Sequence, residues 1–219
     1  MTIFEKQKRR TFKELTKREI RKAILNGKLK PGDRIIEQEI SDALGFSRFP
    51  VREALNSLEK ARLLTLIPFK GTYVAEVNEK DVEEIYVLRA NLEQLAVRLL
   101  IENNSAVKIR ALEVVIAEME NLKEHDVTTL FLEDMRFHKT VCELCDNGKL
   151  LEFWELLAEQ LLLLVATHEH YYSKPKKLAY AHNVIVEAIR NNDVDLAVKS
   201  IGDHIMEALN KVRLAMTDR

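Results

Sequence analysis

The sequence predicts a mainly α-helical protein in which a small basic domain precedes a larger acidic one. Apolar residues recur every three or four positions along most of the chain, the spacing of helices with one buried face. Short segments typical of β-strands are found at residues 63–77. Residues 1–75 carry 17 Lys and Arg against 9 Asp and Glu (+8), whereas residues 76–219 carry 17 against 26 (−9). We therefore expect one domain at 1–75, a linker at 76–80 and a second domain at 81–219.

The first domain is predicted to contain three helices followed by a β-hairpin. Apolar spacing and helix-ending glycines place helices at Phe12–Asn26, Glu37–Leu44 and Pro50–Ala61, and strands at Leu63–Ile67 and Thr72–Val77. The segment KPGDRI at residues 30–35 is predicted to be a turn. Two helices joined by a short turn and followed by a hairpin form the plan of a winged helix-turn-helix domain.

Pro50 predicts where the third helix begins. Proline disfavours helical geometry in the residue before it, which places Phe49 outside the helix. Pro50 would then occupy the first helical position, where its missing N–H costs nothing. Phe49 would occupy the N-cap position, although its side chain cannot cap.

The second domain is predicted to be an antiparallel bundle of helices. Six helical segments span about 80–102, 105–124, 127–146, 149–171, 176–190 and 194–215. Ser105 and Asp193 are suitable N-caps, Asn147-Gly148 is a helix-ending pair, and Pro175 suits a helix start.

The composition argues against a membrane-spanning or secreted protein. The longest apolar run is Leu161–Ala166, far shorter than the roughly 18 residues that a spanning helix needs. The first ten residues, MTIFEKQKRR, do not match a signal peptide. Cys142 and Cys145 form one C-x-x-C pair without a strand-to-helix context, so we expect buried thiols rather than a redox pair. These features predict a cytoplasmic protein.

The N-terminal helices suggest contacts with double-stranded DNA. The third helix would lie in the major groove, with Ser47, Arg48 and Arg52 nearest the bases and phosphates. Lys70 would give charge to the hairpin tip, and Gly71 would allow a tight turn near the DNA backbone. The alternative is a small helical subdomain with ordinary surface arginines.

Four polar residues of the second domain are predicted to point inward. At 100° per residue, Asp134 and His138 lie in the middle of an apolar stripe, as does His182 on its own helix. His204 lies beside small residues that leave room for a cavity. An aspartate and three histidines from three helices suit a divalent metal ion. The alternative is a core in which each group is satisfied by separate hydrogen bonds. The other three histidines, His125, His168 and His170, are expected outside this group.

The N-terminal sequence resembles the GntR family of bacterial transcription regulators. The matching core is the run SRFPVREAL at residues 47–55, followed by Gly71 in the wing. The resemblance implies DNA contacts by Ser47, Arg48, Arg52 and Gly71. Gln38 occupies a position that is a DNA-contacting arginine in some members. Phe49 departs from the usual threonine, a loss that should cost about 1 kcal/mol if this residue is the N-cap.

The second domain resembles the FCD effector domain of the FadR-type subfamily. The matching features are VLRANLEQLA, the DMRFH pattern, the NG pair, the histidine before VIVEAI and a histidine in the last helix. The resemblance implies that Asp134, His138, His182 and His204 bind a divalent metal. Zn and Ni are favoured, and Mn and Fe also suit these ligands. Arg89 either forms a salt bridge with Glu93 or binds an effector carboxylate.

These features together predict a homodimeric regulator that binds operator DNA and responds to a small organic acid at the metal site. A first alternative is a helical metalloenzyme fused to a winged helix. No general base is evident beside the four ligands, where Arg89 and Tyr86 are expected instead, so a catalytic role is not predicted. A second alternative is a regulator of the same class that responds to an acyl-CoA without a metal.

Overall fold

The structure, a computed structural model, describes residues 11–122, 127–165 and 174–217. Within these residues the chain divides into two compact units, of which the first ends at Glu76 and the second begins at Val77. His125, His168, His170 and the predicted helix end at residue 171 lie outside the described residues.

The N-terminal unit contains three helices and three strands. They are α1 (Phe12–Leu25), β1 (Arg34–Ile35), α2 (Glu37–Leu44), α3 (Arg48–Lys60), β2 (Leu64–Ile67) and β3 (Gly71–Val74). Helix α3 packs against α1, α2 and β2. Its inward face buries Val51, Ala54, Leu55 and Leu58, each at most 6% exposed. This burial holds α3 firmly while its opposite face stays in solvent.

The sheet has one strand more than the predicted hairpin. Part of the segment predicted as a turn forms β1, which pairs antiparallel with β3 through Arg34↔Tyr73 and Ile35↔Thr72. The strand order is therefore β1-β3-β2. A strand of two residues has too few positions to show an alternating pattern, so its partner rather than its own sequence defines it. The turn itself is restricted to the residues before Arg34.

The prediction for the start of α3 was wrong. The helix begins at Arg48, and Ser47 rather than Phe49 occupies the N-cap position. Pro50 lies in the third helical position, which is tolerated because the first-turn N–H groups have no acceptor within the helix. The side chain of Ser47 makes no capping hydrogen bond. Phe49 is helical and 71% exposed, so its replacement of threonine does not remove a cap.

The second unit is formed by helices throughout its described residues. They are α4 (Glu79–Glu102), α5 (Ala106–Glu120), α6 (Val127–Leu144), α7 (Gly148–Val165), α8 (Pro175–Arg190) and α9 (Val194–Thr217). Helix α4 packs along α9, and it also contacts α6, α7 and α8. Helix α5 packs against α6 and α8. The predicted fold class, a winged helix-turn-helix followed by an all-helical bundle, is confirmed.

Three of the predicted helix boundaries in this unit are correct. The fourth was predicted to be a helix end and is a helix start. The side chains of Ser105 and Asp193 accept hydrogen bonds from N–H groups at the starts of α5 and α9. Pro175 is the first residue of α8. The Asn147-Gly148 pair begins α7 rather than ending α6, because the Asn147 side chain caps α7. The left-handed residue after α6 is Asp146, with φ 58°.

The two cysteines are buried free thiols, as predicted. Cys145 Sγ donates to the Cys142 carbonyl at 3.1 Å. Burial raises the pKa of Cys142, which keeps this thiol protonated and unreactive. None of the described helices is long and apolar enough to cross a membrane.

Candidate functional site

The four predicted metal ligands come together inside the helical unit. Asp134 and His138 lie one turn apart on α6, His182 lies on α8 and His204 on α9. Their ligand atoms all lie within 4.8 Å of one another. His138 and His182 are fully buried, and Asp134 is 7% exposed. Asp134, His138 and His182 therefore have the predicted inward orientation, and the His204 ring is partly exposed.

The carboxylate of Asp134 is the centre of this group. Its Oδ1 atom lies 3.3 Å from His182 Nε2, 3.6 Å from His138 Nε2 and 3.8 Å from His204 Nε2. These distances are longer than good hydrogen bonds, and Oδ1 is buried without a hydrogen-bond partner among the described residues. Ligand atoms bound tetrahedrally about 2.1 Å from one Zn²⁺ would lie about 3.4 Å apart. The spacing and the unsatisfied oxygen therefore fit a shared cation better than mutual hydrogen bonding.

The tautomer of His138 is determined by Glu93, a residue on α4. Glu93 Oε2 lies 2.5 Å from His138 Nδ1, and both side chains are fully buried. Burial alone would raise the pKa of Glu93, but the charges of His138 and Arg89 lower it to about 2. An ionised carboxylate only accepts hydrogen bonds, so His138 Nδ1–H must donate. In the neutral ring the lone pair is then on Nε2, which faces Asp134 and His182.

Burial and charge act differently on the other ligands. Burial would raise the pKa of Asp134, but the charge of His138 and its contacts with the three histidines lower it well below its usual value. Burial lowers the pKa of His182 to about 4, with Asp134 only partly compensating. Near neutral pH, the site therefore presents an ionised Asp134 and a neutral His182. These are the forms that bind metal ions.

Arg89 is a buried cation beside this group. It is 3% exposed, and its Nε donates to Glu93 Oε1 at 2.7 Å. Burial would lower the pKa of Arg89, but the charges of Glu93 and Asp134 raise it further above its usual value. The salt bridge that formed one interpretation of Arg89 therefore exists. However, Arg89 Nη2 is buried without a hydrogen-bond partner among the described residues, which leaves one donor for a further acceptor.

A cavity of about 70 Å³ opens beside Arg89 and the ligand group. Its polar lining includes Arg89, Asp134, Lys177, His204, Glu207 and Lys211. Glu207 is paired with Lys211 at 2.7 Å. A cavity of about 150 Å³ accommodates benzene, so this space suits a molecule of only a few heavy atoms. The lining combines three cationic side chains with two ligands of the candidate metal site.

The DNA-contact residues predicted on α2 and α3 differ in whether an acidic side chain already binds them. Ser47 and Arg48 are exposed at the start of α3. Arg52 is exposed but forms two hydrogen bonds with the Glu37 carboxylate, at 2.9 and 3.0 Å. The Gln38 amide donates to Asp42 at 2.6 Å. The Arg48 side chain can therefore bind a ligand directly. Arg52 must first leave Glu37, and Gln38 must first leave Asp42.

The predicted wing tip is the turn between β2 and β3. Lys70 N–H donates to the Ile67 carbonyl at 3.0 Å, which closes the turn, and the Lys70 side chain is exposed. Gly71 has φ 115°, a backbone conformation that residues other than glycine rarely adopt. Phe69 is fully exposed and also left-handed, with φ 64°. The turn therefore projects a cation and an aromatic ring into solvent.

Sequence reasoning missed several members of the helical site. Glu93 had been considered only as a partner for Arg89, although its inward position on α4 was a usable signal. Trp154 on α7 donates to Glu93 Oε1 at 2.7 Å, and no sequence spacing connects the two residues. The acid Glu207 lines the cavity, where only Arg89 and Tyr86 had been expected. Its pairing with Lys211 lowers its pKa, which makes it a poor general base.

Two protein families match this chain, one for each of its two units. Residues 13–74 match the bacterial regulatory proteins of the gntR family, and residues 84–207 match the FCD domain. An HTH-type transcriptional regulator of Bacillus subtilis strain 168, YdhC, is 30% identical, covering 85% of this chain and 84% of its own. The gluconate operon transcriptional repressor of Bacillus licheniformis is 26% identical, covering 89% and 82%.

The fold is also similar to that of a solved structure, Escherichia coli McbR/YncC. The TM-score is 0.82 with 20% sequence identity, and the match covers 94% of this chain and 99% of the other. At this identity the similarity supports the fold alone. It extends over both units, which agrees with the order of elements described above.

Proposed function

This chain belongs to the GntR family of bacterial transcription regulators and carries an FCD domain, and we propose that it binds operator DNA as a dimer under the control of a small carboxylate. The resemblance inferred from the sequence is confirmed. The relatives are transcription regulators, so the expectation of a regulator rather than an enzyme is also confirmed. The contacts, the ligand and the dimer are the proposed parts.

The first proposed contact surface is the exposed end of α3 together with the wing. Arg48 is the principal candidate for reading a base, because it is exposed at the helix start and can donate two hydrogen bonds to guanine. Ser47, Lys70 and Gly71 would contact the sugar-phosphate backbone. Arg52 and Gln38 are secondary contacts, because Glu37 and Asp42 already engage them.

The second proposed element is a divalent metal ion held by Asp134, His138, His182 and His204. The convergence of these four groups, three of them buried, with Asp134 Oδ1 unsatisfied, is the single observation that carries this assignment. One carboxylate and three imidazoles suit Zn or Ni, and Mn or Fe as alternatives. When bound, such an ion supplies positive charge and a coordination position that an anionic ligand can share.

The third proposed element is a small carboxylate effector in the cavity beside these residues. Arg89 would orient the carboxylate through Nη2, which is the donor left free by the Glu93 salt bridge. Lys177 and Lys211 add positive potential at the same cavity. The volume of about 70 Å³ favours a short organic acid over an acyl-CoA, which would need a far larger space.

Regulation would follow from different effector affinities of two dimer arrangements. A dimer places two recognition helices on two half-sites of a near-palindromic operator. An effector changes operator affinity only if it binds one arrangement more tightly than the other. The B. licheniformis relative is named a repressor, and we propose the same direction of control here. Such a protein would act in the cytoplasm, where its operator is located.

Metal analysis and ligand screening together test this proposal. Protein purified without chelators should contain close to one divalent ion per chain by elemental analysis. A thermal-shift screen of carboxylates with two to four carbons should then identify a ligand that also changes operator affinity, measured by fluorescence anisotropy. Metal-free protein that still responds to a carboxylate would contradict the metal-site part. A dimer is expected from light scattering, and a monomer on DNA would contradict the half-site arrangement.

A further inference from the structure

Glu93 is a fully buried acidic side chain with no direct role in the site proposed above. Both of its oxygens are occupied. Oε1 accepts hydrogen bonds from Arg89 Nε and Trp154 Nε1, each at 2.7 Å, and Oε2 accepts from His138 Nδ1 at 2.5 Å. A buried carboxylate is unfavourable unless several donors compensate it. Helices α4, α6 and α7 supply those donors, so the fold is arranged around this group.

The contact with His138 has a chemical consequence at the opposite ring nitrogen. A proton held on Nδ1 leaves the Nε2 lone pair free to bind a cation. A carboxylate acceptor also makes Nε2 more basic than a neutral acceptor would, and it fixes the orientation of the ring. His138 Nε2 is the atom that lies 3.6 Å from Asp134 Oδ1 and 3.5 Å from His182 Nε2. Glu93 therefore controls a ligand atom that it does not touch.

We propose that Glu93 is a positioning residue for the metal site, because it sets the tautomer, orientation and donor strength of His138. This inference rests on the proposed metal site. The salt bridge between Arg89 and Glu93 would then also orient the Glu93 carboxylate. Arg89 and Trp154 occupy Oε1 and thereby direct Oε2 toward His138.

Replacing Glu93 by glutamine tests this role with little change in size. The single amide oxygen of the glutamine would accept the hydrogen bonds of Arg89 and Trp154, because both of these side chains can only donate. The amide NH₂ would then face His138 Nδ1 and favour the tautomer whose proton is on Nε2. That proton would block the ligand atom. We expect metal affinity to fall about 10- to 100-fold, the usual effect of losing such a partner.

The experiment uses the full chain stripped of metal and titrated with Zn²⁺ in competition with a chelating dye. Glu84→Gln is the matched control, because it makes the same change at an exposed position of the same helix. Its affinity should stay within about threefold of the wild type, below the effect expected for an outer partner of the ligand. Nitrogen-15 NMR of the imidazoles provides a second measurement. In its neutral form, His138 should be protonated on Nδ1 in the metal-free wild type and on Nε2 in Glu93→Gln.

Two outcomes separate this inference from the proposed function, and a second pair of variants is used if Glu93→Gln does not fold. If wild-type protein does not bind Zn²⁺, the proposed metal site fails and this inference fails with it. If wild type binds and Glu93→Gln binds equally well with an unchanged tautomer, only the role of Glu93 is wrong. If Glu93→Gln does not fold, the comparison is made between Arg89→Met/Glu93→Gln and Arg89→Met. The double variant removes both charges of the pair together, and equal Zn²⁺ affinity in the two variants would again overturn the proposal.

Discussion

The two candidate sites place their charged groups in opposite environments. In the helical unit, Arg89, Glu93 and Asp134 are each at most 7% exposed. In the N-terminal unit, Arg48 and Lys70 are exposed to water. A buried charge must have a specific partner or ligand, because leaving water is costly. An exposed charge needs no partner, so its position alone indicates little about what it binds.

The two candidate sites therefore differ in what their residues require. At the candidate metal site, polar atoms of four residues converge, three of these residues are buried, and the Asp134 Oδ1 atom remains unsatisfied. At the candidate DNA surface, the exposed polar groups need no protein partner, because water can satisfy each of them. Mutations should therefore have larger effects in the helical unit than in the N-terminal unit.

The largest effect is expected for Arg89→Ala. The change leaves the buried Glu93 carboxylate without its cation, which should lower the free energy of unfolding by about 3 kcal/mol. Urea denaturation of the metal-free protein measures it. Arg98→Ala, an exposed arginine on the same helix, is the control and should change stability by less than about 0.5 kcal/mol. Equal effects of the two variants would contradict the contrast between buried and exposed charge.

The next largest effect is expected for His182→Ala. Losing one of four ligands should weaken metal binding by at least about 100-fold, beyond the effect of losing an outer partner. Metal content after dialysis, measured by elemental analysis, should fall well below one ion per chain. Asn183→Ala on the same helix is exposed and should retain the metal. A stoichiometric ion in His182→Ala would show that the four residues do not act as one site.

A smaller effect is expected for Arg48→Ala in the exposed region. Loss of one base-reading arginine should weaken binding to the selected operator by about tenfold, with a smaller effect on random DNA. Fluorescence anisotropy at fixed salt measures both affinities. Lys60→Ala, at the far end of α3, serves as the control. Equal losses on operator and random DNA would make Arg48 a phosphate contact rather than a base contact.

The smallest effect is expected for Glu37→Gln. The change releases Arg52 from its acidic partner and removes a negative charge beside the recognition helix. Operator affinity should increase about two- to fivefold, and the salt dependence should steepen by about one phosphate contact. A salt titration of wild type, Glu37→Gln and Glu39→Gln measures this. Weaker binding by Glu37→Gln would show that Glu37 positions Arg52 productively.

The sequence predicted the helices and the inward-facing side chains well because both depend on periodicity within a single element. That the four polar groups of three helices belong to one site was implied only by the family resemblance. Asp134 and His138 share a helix face whatever surrounds it, and an apolar stripe predicts that this face is inward. The errors came from interactions between elements. Strand β1 exists because β3 pairs with it, and Arg52 is engaged by Glu37 from another helix. The start of α3 was misplaced because a general preference against helix before proline was applied within a first turn, where proline is tolerated.

Trp154 gives this protein an optical property that follows from its hydrogen bond to Glu93. It is the only tryptophan in the chain, and it is 2% exposed. Indole emission responds to nearby charge, and the carboxylate that accepts from Trp154 Nε1 also contacts His138. The intrinsic fluorescence of the unlabelled protein should therefore change when a cation is added to the metal-free form. A single buried ring would thus allow cation binding to the helical unit to be followed in the unlabelled protein.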